Sequence, residues 1–243
     1  MSAADRLRGL LLVGLLAAGP LPALEVPEPF TARYAVYANG IRVGDMDRTL
    51  HRQEGGRMRL KTKMYAAGLI GLFRDDRIVE QSLWSPAGGT LRPHEYRFRR
   101  TGGGRDERES VVFDWEAGSA RGHEDGEERT APLEPGMTDK LSYQVLLRRD
   151  LARGMEAMTY RVVEPEETET YRFRVVGRET LRTSLGEFET IKVERDHDSD
   201  ERQTTFWCAP ELDYLMVRIR QDDDGDQILG EIQDWKRVGK AVR

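Results

Sequence analysis

The chain has 243 residues, of which 38 are Lys or Arg and 43 are Asp or Glu, giving a net charge of −5 with the two signs interleaved. A weakly acidic, mixed surface offers no field for a nucleic-acid backbone, so nucleic acid is excluded as a partner class. One cysteine, Cys208, excludes an intrachain disulfide, and stability has to come from burial.

The N-terminal segment reads as an export signal. Arg6 and Arg8 precede an apolar run from Leu10 to Ala18, and Gly19, Pro20 and Pro22 break that run ahead of Ala23, which fits cleavage near Ala23–Leu24. The run is well short of the roughly 20 apolar residues that span a bilayer, and no cysteine follows closely to take a lipid. The expectation is a signal peptide over 1–23 and a soluble periplasmic chain over 24–243. That chain is read as one antiparallel β domain with no membrane span after cleavage.

From Phe30 onward, apolar residues alternate with polar ones. Met58, Leu60, Thr62 and Met64 fall on one face, and Arg57, Arg59, Lys61 and Lys63 on the other, the pattern of a half-buried strand. Tyr34 with Val36, Tyr96 with Phe98, Val111 with Phe113, Tyr171 with Phe173, Ile191 with Val193, and Leu215 with Val217 repeat it. Between the runs stand Asn39-Gly40, Gly55-Gly56, Gly88-Gly89, Gly102 to Gly104 and Asp224-Gly225, residues suited to the positive φ of hairpin loops. The fold class is mainly β, a large curved antiparallel sheet of half-barrel or barrel-like form, with a sandwich as the alternative.

Ala66 to Phe73 is an apolar, glycine-hinged segment between two charged strands. As a lid or ligand-contacting loop it nominates Leu69, Leu72 and Phe73; the plainer reading is a loop folded into the core. In the hairpin from Tyr96 to Trp115, pairing Phe98 with Val111 and Tyr96 with Phe113 keeps the apolar faces together. Arg97, Arg99 and Arg108 then share the outward face, as candidate contacts for anionic headgroups or polymers. Gly118 to Pro135 reads as a long exposed connection.

A helix is predicted at about 138–152. Thr138 or Asp139 caps it, Leu141, Val145, Leu146 and Leu151 recur at helical spacing, and Gly154 ends it. Its apolar surface is broad, which suits packing into the concave face of the sheet or plugging one end. Asp139, Tyr143 and Trp207 are the candidate residues lining a cavity there. Cys208, at a strand end, is read as a buried inert thiol.

The acidic run Asp222 to Asp226 with Glu231 has part of a calcium-loop spacing, but Arg220 stands where the first carboxylate ligand belongs, so a solvated hairpin turn is expected. Asp196 to Glu201, with His197, reads as a polar loop. No metal, cofactor or catalytic residue is nominated. There is no nucleophile elbow, no Cys-x-x-Cys pair and no phosphate-binding glycine loop.

Tyr34-Ala-Val-Tyr37 with Gly40 and Gly44, Val112-Phe113-Asp114-Trp115 and Thr138-Asp139-Lys140-Leu141-Ser142 form one set of motifs. Tyr171 to Val175 with Gly177, Glu179 and Gly186, then Thr205-Phe206-Trp207 leading to Pro210, Tyr214 and Val217, form another. Together they resemble the family of exported bacterial proteins known as domain of unknown function 3108. The resemblance implies a periplasmic β fold and carries no catalytic residues. On this basis the leading expectation is non-enzymatic binding of a lipid or apolar small molecule in the concave face. An envelope module that binds a protein or an anionic polymer is the alternative, and an enzyme assembled from distant residues is the third.

Overall fold

Alternation buries one face of each strand, and the connections are short enough for consecutive strands to pair. The computed structural model describes residues 26–67, 76–197 and 202–239. The first half of the chain runs through β1 (Phe30–Ala38), β2 (Ile41–Arg52), β3 (Met58–Ala66), β4 (Arg77–Ala87), β5 (Thr90–Gly102), β6 (Arg105–Asp114), β7 (Ser119–Glu124) and β8 (Glu127–Pro132). A two-residue strand, β9 (Thr138–Asp139), and the helix α1 (Tyr143–Ala152) cross to the second half. There follow β10 (Ala157–Val163), β11 (Thr168–Thr183), β12 (Gly186–Asp196), β13 (Arg202–Ala209), β14 (Leu215–Asp223) and β15 (Asp226–Arg237).

Among the described residues these strands form one sheet, in the order β8 through β1, then β15 back through β9. The first and last long strands, β1 and β15, therefore lie side by side at its middle. Every neighbouring pair is antiparallel except β9 and β10. The β1–β2 turn uses Asn39 at φ 48° and Gly40 at φ 80°, the left-handed pair that matches strand twist in a two-residue hairpin. Asn39 also accepts from the Gln227 amide at 2.8 Å, which ties this turn to the neighbouring β14–β15 hairpin.

The sheet rolls so that its ends meet. Gly122 on β7 lies against the β10–β11 turn, and a Cβ on Gly122 would overlap the Pro165 carbonyl oxygen, so only glycine permits this approach. Inside the roll, Tyr34, Leu50, Met58, Trp84, Tyr96 and Val111 come from one half, and Phe173, Val193, Phe206 and Ile232 from the other. Val145, Leu146, Leu147 and Leu151 of α1 fill the space between. Each such side chain contributes about 1.5–3 kcal/mol on burial. The expected curved sheet with a covering helix is what forms.

Three local expectations need correction. The helix starts at Tyr143, not near 138, because Asp139 Oδ1 accepts the Leu141 and Ser142 amides at 2.9 and 2.7 Å and closes a turn ahead of it. The segment from Gly118 to Pro135 is not an open connection but holds the β7–β8 hairpin. In the β5–β6 hairpin, Tyr96 pairs with Val111, Phe98 with Glu109 and Arg100 with Glu107, two residues from the expected register. The two-residue turn at Gly103-Gly104 sets that register. A slip of two leaves every side chain on the same face, so the burial pattern could not distinguish the two pairings.

Candidate functional site

Strand alternation carries several charged residues onto the inner face, in phase with apolar ones. Arg48 lies between Met46 and Leu50 in that phase, Glu80 between Ile78 and Ser82, and Glu109 next to Val111. They converge around the segment that leads into α1. Ser82 Oγ donates to Asp139 Oδ2 at 2.6 Å, and Tyr96 donates its hydroxyl to Glu80 at 2.9 Å. Lys140 Nζ lies 2.9 Å from Glu109 and 3.4 Å from Glu164, and Tyr171 donates to Glu164 at 2.6 Å. Arg195 pairs with Glu169 at 2.9 Å and stacks its guanidinium 3.3 Å from the Tyr171 ring centroid. These residues join β4–β6 to the β10–β11 turn, β11 and β12 across the roll. Sequence reasoning missed all of them but Asp139. The usable signal was a charged residue at a buried position of an alternating strand.

Burial dominates the electrostatics here. It pushes the Glu80 carboxyl up to about 7, against the Tyr96 hydrogen bond and the nearby Lys140 and Arg48 charges. Burial also raises Asp139, while its bonds from Ser82, Ser142 and Leu141 hold it down. A carboxyl whose pKa is raised on folding stabilises the protein below its unfolded pKa, and that stability is lost as pH rises through the folded value. Stability is therefore expected to fall by about 1–3 kcal/mol between about pH 4.5 and 7, as Glu80 is forced to ionise in place. Urea midpoints across that window test this: Glu80→Gln should flatten the slope, and equal slopes in the two proteins would refute it.

The expected cavity residues are scattered. Leu69, Leu72 and Phe73 lie outside the described residues. Tyr143 is not a cavity wall but a core residue, its ring stacked on Phe173 at 5.4 Å and edge-on to Tyr171 at 5.2 Å. Trp207 is buried on the opposite face of the sheet from Phe206 and Cys208. There Lys192, Arg218 and Arg220 flank its ring at 5.6–5.8 Å and its Nε1 donates to Glu179. A bulge between Val175 and Gly177 bends the β11–β12 hairpin, and its tip bonds from Ser184 Oγ to the Ile232 carbonyl at 3.1 Å. Cys208 is buried, and burial pushes its thiol up to about 12, so it is inert as expected.

Beside Arg48, Gln144 and Arg148 lies a space of about 10 Å³. An open cleft of about 690 Å³ lies outside, where the β4–β5 turn meets Leu133 to Gly136, and Arg92 covers the Trp115 ring there at 5.5 Å. Among the described residues no cluster of three His, Cys, Asp or Glu side chains converges as a metal site. Asp224 and Gly225 form the β14–β15 turn, at φ 45° and 85°.

On the outer face the cations align. Cross-strand pairing sets Lys61, Gln81 and Arg97 in one row and Lys63, Val79, Arg99 and Arg108 in the next. The Arg97, Arg99 and Arg108 side chains are 61%, 55% and 63% exposed. Glu95 pairs with Arg97, and Asp106 with Arg99 and Arg108. Arg59, Lys61 and Lys63 make no ion pair among the described residues, and burial together with those two neighbours lowers the Lys61 pKa.

A sequence model of the family described as "Protein of unknown function (DUF3108)" matches residues 33–230. The chain belongs to this family. No curated protein matches the sequence. Among solved structures, a β-barrel-like protein of domain of unknown function DUF1849 from Brucella abortus superposes with a TM-score of 0.54 at 10% identity. The match covers 88% of this chain and 99% of that one, and it shows a shared barrel-like fold. A candidate exported protein with a YmcC-like fold from Bacteroides fragilis aligns at 12% identity over 89% of this chain and 99% of that one, with a TM-score of 0.33, too low to carry an argument. The segment from Thr138 to Ser142 falls at the centre of the inner polar cluster. No helix among the described residues is long and apolar enough to cross a membrane.

Proposed function

We propose that this protein is a non-enzymatic envelope module that works outside the cytoplasm and holds an anionic polymer against the outer face of β3–β6. The observation that carries the reading is the pair of cationic rows, Lys61 with Arg97 and Lys63 with Arg99 and Arg108, on a chain whose net charge is −5. Neighbouring strands stand about 4.8 Å apart, so charges two strands apart repeat at roughly twice that spacing. Such a row meets several charges of one polyanion at once: Lys61 and Lys63 offer their charges directly, and the arginines exchange Glu95 and Asp106 for the polymer. A lipid-like ligand held within the sheet is the weaker reading. Ligand pockets run to about 300–1,000 Å³, against about 10 Å³ in the space beside Arg48 and Arg148.

Binding of dextran sulfate, a soluble polyanion, tests the proposal. The native protein should bind it with an affinity that falls steeply as salt rises. Lys61→Glu with Arg97→Glu and Arg99→Glu should weaken binding about 10- to 100-fold. Unchanged affinity in that triple variant, or capture by phosphatidylglycerol vesicles with none by the polymer, would overturn it.

A further inference from the structure

Two arginines inside the roll lack a close ion pair, and carboxylates act on them only at longer range, Glu80 on Arg48 and Asp213 on Arg148. Arg48, on the inner face of β2, is 5% exposed; its Nη2 donates to Gln144 Oε1, and its Nε has no acceptor among the protein atoms. Arg148, on α1, is 9% exposed. Its Nε donates to the backbone carbonyl of Asp213 at 2.7 Å, and its guanidinium lies 5.3 Å from the Phe30 ring centroid. The Asp213 carboxylate is turned to Arg237 instead, at 3.1 Å. Neither Arg48 nor Arg148 forms an ion pair among the described residues.

Both line the same internal space, with Gln144 as the other polar wall and Leu50, Leu60, Leu215 and Met216 among the apolar ones. Burial lowers the Arg148 pKa to about 10, against the Asp213 charge, and the Arg48 charge adds to the lowering. An uncompensated buried cation is strongly destabilising, and two on one small space repel as well. The space leaves about 10 Å³ for the centre of a water-sized sphere, room for one small occupant. It is too small for sulfate, phosphate or a lipid headgroup, and its apolar walls offer a hydrated dianion nothing in exchange for its water.

We infer that Arg48 and Arg148 bind one small monovalent inorganic anion, of chloride size, between their guanidinium groups. The Arg48 Nε–H and the terminal N–H groups of Arg148 are its donors. Gln144 orients Arg48, and the Asp213 carbonyl orients Arg148. The anion halves the net charge of the pair and locks α1 to β2, independently of what the outer face binds.

Bromide in crystals of the native protein tests the site directly, since it replaces chloride and scatters anomalously. A peak between Arg48 and Arg148 is expected, and a featureless map there would overturn the inference. In solution, exchanging gluconate for chloride at constant ionic strength should raise the Tm by about 2–4 °C, and sulfate should not reproduce the rise. Arg148→Met keeps most of the stem and removes one charge, so its Tm should not respond to chloride. A native Tm indifferent to the exchange, or a variant that responds as the native protein does, would also overturn it.

Discussion

Replacing Tyr143 by alanine is expected to lower the unfolding free energy by about 3–5 kcal/mol, the range for truncating a large aromatic ring in a close-packed core. Tyr143 is the first residue of α1 and meets Tyr160, Tyr171 and Phe173 at centroid distances of 5.2–6.3 Å. Its removal leaves a void between the helix and β10–β11 that those rigid rings cannot close, and the ring contacts are lost with it. Tyr143→Phe should cost less than about 1 kcal/mol, because among the described residues the hydroxyl has one long hydrogen bond, from Gln144 at 3.5 Å. Urea unfolding followed by tryptophan fluorescence measures both, with the midpoint shifting at constant slope. A loss under about 1 kcal/mol for Tyr143→Ala would mean that the helix is not held by this cluster.

Asp139→Ala is the second large effect expected, at about 3–5 kcal/mol. The carboxylate is fully buried and satisfies the Ser82 hydroxyl and the Leu141 and Ser142 amides. Alanine would strand all three donors, each at a cost of about 1–3 kcal/mol. Asp139→Asn keeps an acceptor for the two amides, and the Ser82 hydroxyl can rotate to accept from the new amide group. Its cost should stay near 1 kcal/mol. Loss of amide-exchange protection from Leu141 to Val145 in Asp139→Ala, and its retention in Asp139→Asn, would tie the effect to the entry of the helix. Equal destabilisation by the two substitutions would contradict this assignment.

Much of the sheet was legible because alternation is a property of a single strand. Met58 and Leu60 are buried, Lys63 is exposed and Arg59 is part-exposed, as their period of two requires. The outward set Arg97, Arg99 and Arg108 survived the wrong β5–β6 register for the same reason. The polar cluster was not legible. Glu80, Glu109, Lys140 and Glu164 come from distant parts of the chain, and their meeting depends on how tightly the sheet rolls. Trp207 misled for a related reason: it stands on the outer face of its strand, and burial there comes from the bent β11–β12 hairpin.

By itself, then, the sequence determined which face each strand presents, where hairpins such as Asn39-Gly40 turn, and that no disulfide supports the fold. These follow from local sterics and from side chains two residues apart. Only the tertiary structure decided the register, the meeting of the sheet's two ends at Gly122 and Pro165, and the convergence of Arg48 with Arg148. Strand pairing and curvature join residues far apart in the chain, and no periodicity along one strand records which partner lies opposite.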